Sequence, residues 1–189
     1  MNAKHLGDSY DLVKQALIRA LLPLGQWLAH PMLTEPFSER DHSDFRALLG
    51  IDLLSPEVLQ PATDRRVYFY QALQSDHHLF LDPDIGLRLA PTRGKKAPAY
   101  LFGDELVEIA TRRGESLTLV YDQSHPRGGD EESIRTKLAW LRERRLFGLA
   151  YSSHASFLLL SPDGDKLLRA REALLANGRI PQRRLVQLS

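Results

Sequence analysis

The sequence contains no cysteine among its 189 residues. Disulfides and thiolate metal sites are therefore excluded, and a reducing, cytoplasmic setting is compatible with the composition. No apolar run approaches the ~20 residues that span a bilayer, so no membrane partner is expected. The start, Met1-Asn2-Ala3-Lys4-His5, is followed by no apolar core of a secretory signal. Charge of one sign is also lacking. Lys plus Arg number 25 against 24 Asp plus Glu, which leaves a net +1 and no strong overall field for nucleic acid. The basic residues nevertheless gather at Arg88, Arg93, Lys95 and Lys96, and again at Arg135, Lys137, Arg142, Arg144 and Arg145.

What is present is ordinary globular material, 43% hydrophobic and 26% charged, enough for one domain over residues 1–189. Apolar residues recur at helical spacing from Tyr10 to Leu22, capped by Asp8 or Ser9, with Leu12, Val13, Ala16, Leu17, Ala20 and Leu21 as the inner face. Asp11 and Lys14 lie three apart on this helix. They read either as a surface ion pair or as part of a site. Gln26 to Leu33 is the first strand expected, bent at Pro31. A short helix at Asp44–Leu49, a Ser55-capped helical turn through Leu59 and a helix from Thr63 or Asp64 to Gln74 follow.

The centre of the chain is His78-Leu79-Phe80-Leu81-Asp82-Pro83-Asp84-Ile85-Gly86. A buried strand that delivers acidic side chains to a sheet rim has this pattern. Residues 87–99 read as a long basic loop, and such loops are usually functional lids or disordered. A helix over Tyr100–Arg113 is expected next, capped at Gly103-Asp104. Ser116–Tyr121 reads as a buried parallel strand and Asp130–Arg145 as a helix. Phe147–Ser152 and Ser156–Leu160 read as a hairpin, Asp165–Asn177 as the last helix, and residues 179–189 as a basic tail. Strands joined by helices imply a mostly parallel sheet covered on both faces, an α/β architecture in three layers. Ligands of such sheets bind outside the carboxyl ends of the strands, where Asp82, Asp84, Asp122, Gln123 and His125 fall.

The order of elements in the second half resembles the Rossmann-like methyltransferase fold, which closes with a C-terminal antiparallel hairpin. Asp82-Pro83-Asp84-Ile85 stands where amino-methyltransferases carry an Asp-Pro-Pro-Tyr type motif. Gly7-Asp8-Ser9-Tyr10-Asp11-Leu12-Val13-Lys14-Gln15 is similar to the N-terminal stretch of RlmJ-type ribosomal-RNA adenine methyltransferases. Both stretches also resemble signatures of a bacterial and phage family, Gly-Asp-x-x-Asp-x-x-Lys and Phe-x-Asp-Pro-Asp-x-Gly. The resemblance implies a nucleic-acid-modifying enzyme that uses S-adenosylmethionine. Asp82 and Asp84 would then line the reaction pocket, and Asp8, Asp11 and Lys14 would flank the cofactor.

The sequence also departs from that pattern. Gln26-Trp27-Leu28-Ala29-His30-Pro31 replaces a glycine-rich cofactor turn, Asp84 replaces the second proline, and Ile85 replaces the stacking aromatic. Two further readings stay open. Asp82 and Asp84, joined by Glu105, Asp8 or Asp11, could hold Mg²⁺ in a nuclease or phosphoesterase. The fold could instead persist in a non-catalytic binding module. His125 is a candidate general acid or base. Arg93, Lys95 and Lys96 are candidate phosphate contacts.

Overall fold

The computed structural model describes residues 6–125, 130–154 and 156–188. The start Met1–His5, residues 126–129 before the expected helix, Ala155 of the expected hairpin turn and Ser189 of the tail lie outside the described residues.

Nine strands are described: β1 (Trp27–His30), β2 (Asp52–Leu53), β3 (His78–Leu81), β4 (Gly86–Arg88), β5 (Tyr100–Phe102), β6 (Thr118–Tyr121), β7 (Phe147–Ser152), β8 (Ser156–Ser161) and β9 (Leu185–Gln187). The helices are α1 (Ser9–Leu21), α2 (Glu39–Leu49), α3 (Arg65–Tyr68), α4 (Tyr70–Gln74), α5 (Gly103–Arg112), α6 (Asp130–Arg142) and α7 (Gly164–Ala176). Seven strands form one mixed sheet in the order β2-β1-β3-β6-β8-β7-β9, and β4 and β5 make a separate parallel pair. Pairs β1–β2, β1–β3 and β3–β6 are parallel, whereas β6–β8, β7–β8 and β7–β9 are antiparallel. Five strands, β1, β2, β3, β6 and β7, therefore point one way, and β8 lies between two of them running the other way.

The side-chain period of two sorts each strand between two cores. Trp27, Ala29, Phe80, Leu119 and Tyr121 pack with α1, α2 and α7. Leu79, Leu81 and Val120 pack on the opposite face with α3, α4, α5 and α6. The α/β expectation with helices on both faces is met, although the sequence-based boundaries shift. The inner face of α1 is Asp11, Lys14, Leu17, Ile18 and Leu21, while Leu12 is exposed. The helix is thus rotated from the expected face, because Lys14 and Asp11 continue the apolar stripe. Val58 makes a parallel bridge to Leu33 in place of the expected helical turn. The expected helix from residue 63 or 64 breaks at Phe69 into α3 and α4.

The basic loop is shorter than 87–99 because its two ends, β4 and β5, pair with each other through Leu87 and Leu101. Part of the basic tail becomes β9, docked on β7. Asp52–Leu53, unexpected from sequence, adds an outer strand beside β1.

Candidate functional site

From β1 the chain moves outward to β2, then returns across β1 to build β3 on its other side. The crevice between the carboxyl ends of β1 and β3 is therefore the switch point of the sheet, where open α/β sheets bind ligands. His30 ends β1 and Asp82 follows β3, with the Asp82 amide donating to the His30 carbonyl at 3.1 Å.

Helix α1 precedes β1, and its first turn lies over this edge. Asp8 caps it, Oδ1 accepting from the amides of Tyr10 at 2.8 Å and Asp11 at 3.2 Å. The Asp11 carboxylate accepts from the Gly7 amide at 2.8 Å and meets Lys14 Nζ at 2.8 Å. Lys14 Nζ also donates to Asp82 Oδ2 at 2.8 Å and stands 4.7 Å from the centroid of the Tyr121 ring. Lys14 is 5% exposed, Asp11 2% and Asp82 1%, so the triad is sealed in the interior. The reading of Asp11–Lys14 as a surface pair is overturned by this burial.

Burial pushes the Asp82 carboxyl above its ordinary value, and the Lys14 ammonium only partly opposes that. Burial also pulls Lys14 downward, but the Asp82 and Asp11 carboxylates outweigh it and hold the ammonium above its ordinary range. Both directions express one fact. Two carboxylates share a single cation, so the interior holds the ammonium firmly and favours an extra proton on the acid.

Asp84 leaves the same strand but is half-buried, and it accepts from Thr34 Oγ1 at 2.5 Å, across the crevice from β3. Asp82 and Asp84 thus flank one switch point with different partners. Asp11 and Asp82 meet on Lys14 Nζ, whereas the Asp8 carboxylate is taken by the first amides of α1. Glu105 does not join them, because its carboxylate is held by the Arg65 guanidinium at 2.8 Å and by the Phe102 amide at 2.9 Å.

His125 belongs to a second buried group at the end of β6. Asp122 is fully buried there, and Lys137 from α6 donates to its Oδ2 at 2.5 Å. Asp122 Oδ1 accepts from the Leu87 amide at 3.0 Å and from Ser124 Oγ at 2.7 Å. His125 Nδ1 lies 3.1 Å from Ser133 Oγ, and its Nε2 is 3.8 Å from Asp122 Oδ2. This group fastens β4 to the end of β6. Lys137 was counted from sequence among the basic cluster of this helix, and the signal that could have set it apart is its place three residues after Ile134 on an apolar face. Tyr121 carried no signal beyond strand propensity. Arg93, Lys95 and Lys96 are all exposed in the loop between β4 and β5.

The residues leaving β1 bear on a cofactor. Met32 and Leu33 are fully buried there, and Met32 adopts φ +48°, a left-handed backbone that glycine would adopt without strain. Side chains therefore fill the place where a glycine turn would admit a ligand. They do not fit S-adenosylmethionine bound in the way the resemblance implies. A divalent cation fits no better, because the Lys14 ammonium sits between Asp82 and Asp11. Among the described residues no cluster of three or more histidine or acidic side chains is placed to hold a metal. A cavity of about 520 Å³ lies elsewhere, lined by Tyr68, Tyr70, Leu73 and Arg112. The chain matches no family model, no curated protein and no solved structure.

Proposed function

We propose that this chain is a nucleic-acid-binding relative of the Rossmann-like methyltransferases in which the fold persists and methyl transfer does not. The fold half of this reading is supported by the antiparallel strand β8 inserted between β6 and β7, and by Asp82-Pro83-Asp84 leaving the central strand β3. One observation carries the loss of chemistry. Asp82 already accepts from Lys14 through Oδ2 at 2.8 Å and is 1% exposed, in a triad sealed from solvent. An acid so occupied is a structural partner, and it gains nothing from a substrate amine unless Lys14 is displaced. The blocked exit from β1 supports the same reading, as does the cation already seated between Asp82 and Asp11.

Calorimetry with S-adenosylmethionine and its demethylated product, beside oligonucleotide-binding measurements, tests this. Saturable oligonucleotide binding without cofactor heat is expected, and Asp84→Asn leaves that binding intact. Methyl transfer to RNA or DNA that Asp82→Asn abolishes would overturn it. So would Mg²⁺-dependent cleavage that Asp84→Asn abolishes.

A further inference from the structure

Around Tyr10 the carboxyl edge of the sheet carries a set of groups that the buried triad does not use. Tyr10 is half-buried in the first turn of α1, with its ring 6.1 Å from Tyr121 in edge-to-face contact and 5.3 Å from the His154 ring. Tyr121 in turn meets Phe157 at 5.4 Å, and Phe157 meets Tyr151 at 6.2 Å. The two outer rings, Tyr10 and the exposed His154, are thus held by a rigid row of aromatics behind them.

His154 follows the end of β7, which points the same way as β3 and β6, so it shares their edge of the sheet. The tail reaches that edge too. Arg184 Nη1 donates to the Ser152 carbonyl at 3.4 Å, two residues before His154. Arg183 beside it is exposed. From Ala173 to Ser189 the sequence holds three arginines, Arg179, Arg183 and Arg184, and no acidic residue. Asp8, next to Tyr10 in sequence, spends one carboxylate oxygen on the amides of Tyr10 and Asp11.

We infer that Tyr10 and His154, flanked by Arg183 and Arg184, form a docking surface for single-stranded nucleic acid. This deepens the reading above and rests on it. Aromatic faces beside guanidinium groups suit a strand whose bases are unpaired, because a base inside a duplex has no free face to offer. The arginines would meet phosphate oxygens, and the rings would stack on the bases.

The test is fluorescence anisotropy with a labelled single strand of about ten nucleotides and with its duplex, over a series of salt concentrations. The single strand is expected to bind more tightly than the duplex. Tyr10→Ala is expected to weaken single-strand binding about tenfold, and Tyr10→Phe to stay near wild type. Arg183→Gln with Arg184→Gln is expected to flatten the plot of log affinity against log salt by about 1.4. Both arginines are exposed, so their variants fold whatever Tyr10→Ala does to stability. Binding that none of these changes moves would overturn the surface and leave the nucleic-acid reading standing. No binding of either nucleic acid by the wild-type chain would overturn both.

Discussion

His30 makes the protein acid-sensitive by a calculable amount. Its ring is fully buried, stacked edge-on to Tyr68 at 4.9 Å and tilted against Phe69 at 5.4 Å. Neither ring nitrogen makes a hydrogen bond of good geometry, although backbone carbonyls of Tyr68 and His30 lie near enough to favour the protonated ring in part. Burial depresses its pKa from 6.5 to about 4, since nearby backbone carbonyls do not compensate for the lost water. The unfolded chain therefore binds a proton that the folded chain refuses. Stability is fully present above the unfolded value of 6.5 and falls as pH drops toward 4. Linkage puts the loss between about pH 7.5 and about pH 5 near 2 kcal/mol for this one side chain. His30→Leu removes the titration and keeps an apolar group in the cage. Urea unfolding of both proteins at the two pH values isolates the effect. Any packing change is common to both pH values, and His78 and Asp82 titrate in both proteins. The wild type is expected to lose about 2 kcal/mol more than the variant on acidification. Equal losses would refute the reasoning and place solvent or a proton acceptor beside the ring.

Two further predictions concern the groups that hold the edge together. Lys14→Met leaves Asp11 and Asp82 facing each other in the interior and is expected to cost about 3–5 kcal/mol, measured by denaturant unfolding. Adding Asp82→Asn removes one of the two stranded charges and is expected to restore more than half of that loss. A single-variant cost below about 1 kcal/mol would mean that the triad is solvated. Gly86 has φ +132°, and a Cβ there would lie 2.2 Å from Asp122 Oδ1 and 2.8 Å from the Gln123 amide nitrogen. Gly86→Ala must therefore push β4 off the end of β6, at a cost on the order of 3 kcal/mol in thermal unfolding. A loss within about 0.5 kcal/mol, the usual effect of a surface change, would show that the contact is looser than this geometry requires.

The elements that could be read from sequence are those whose pattern is local. Helices α1 and α7 declare themselves through apolar spacing, β3 and β6 through buried runs, and β7 and β8 through adjacency. Elements held only by a distant partner were not legible. Asp52–Leu53 is a strand because β1 lies beside it, and Leu185–Gln187 because β7 does. Leu87 and Leu101 pair across the basic loop with nothing in either tripeptide to announce it. At the site, Asp11 and Lys14 were legible as candidates from their three-residue spacing and the resemblance, and Asp82 because it ends an apolar strand. Their burial was not, since it depends on how α1 rotates about its own axis. A charge on an apolar helix face was the available signal, at Lys14 and again at Lys137.

The energetics of the triad bear on why it exists. Burying three ionised groups costs several kcal/mol in lost hydration for each, and their attraction repays this only with good geometry and satisfied hydrogen bonds. Here one cation serves two carboxylates, so a well-packed apolar trio of equal volume would hold α1 to β3 at least as firmly. Stability alone therefore does not account for acids at this position. The proposed reading does, because the same strand end at the switch point is where a sheet of this kind presents groups to a ligand. An acid set there for binding has a position before it has a partner, and Lys14 lies one helical turn after Asp11, within reach of both carboxylates. On the proposed reading, the closed triad is what remains when the partner comes from within the chain, and ligand contact falls to the side chains still open at that edge.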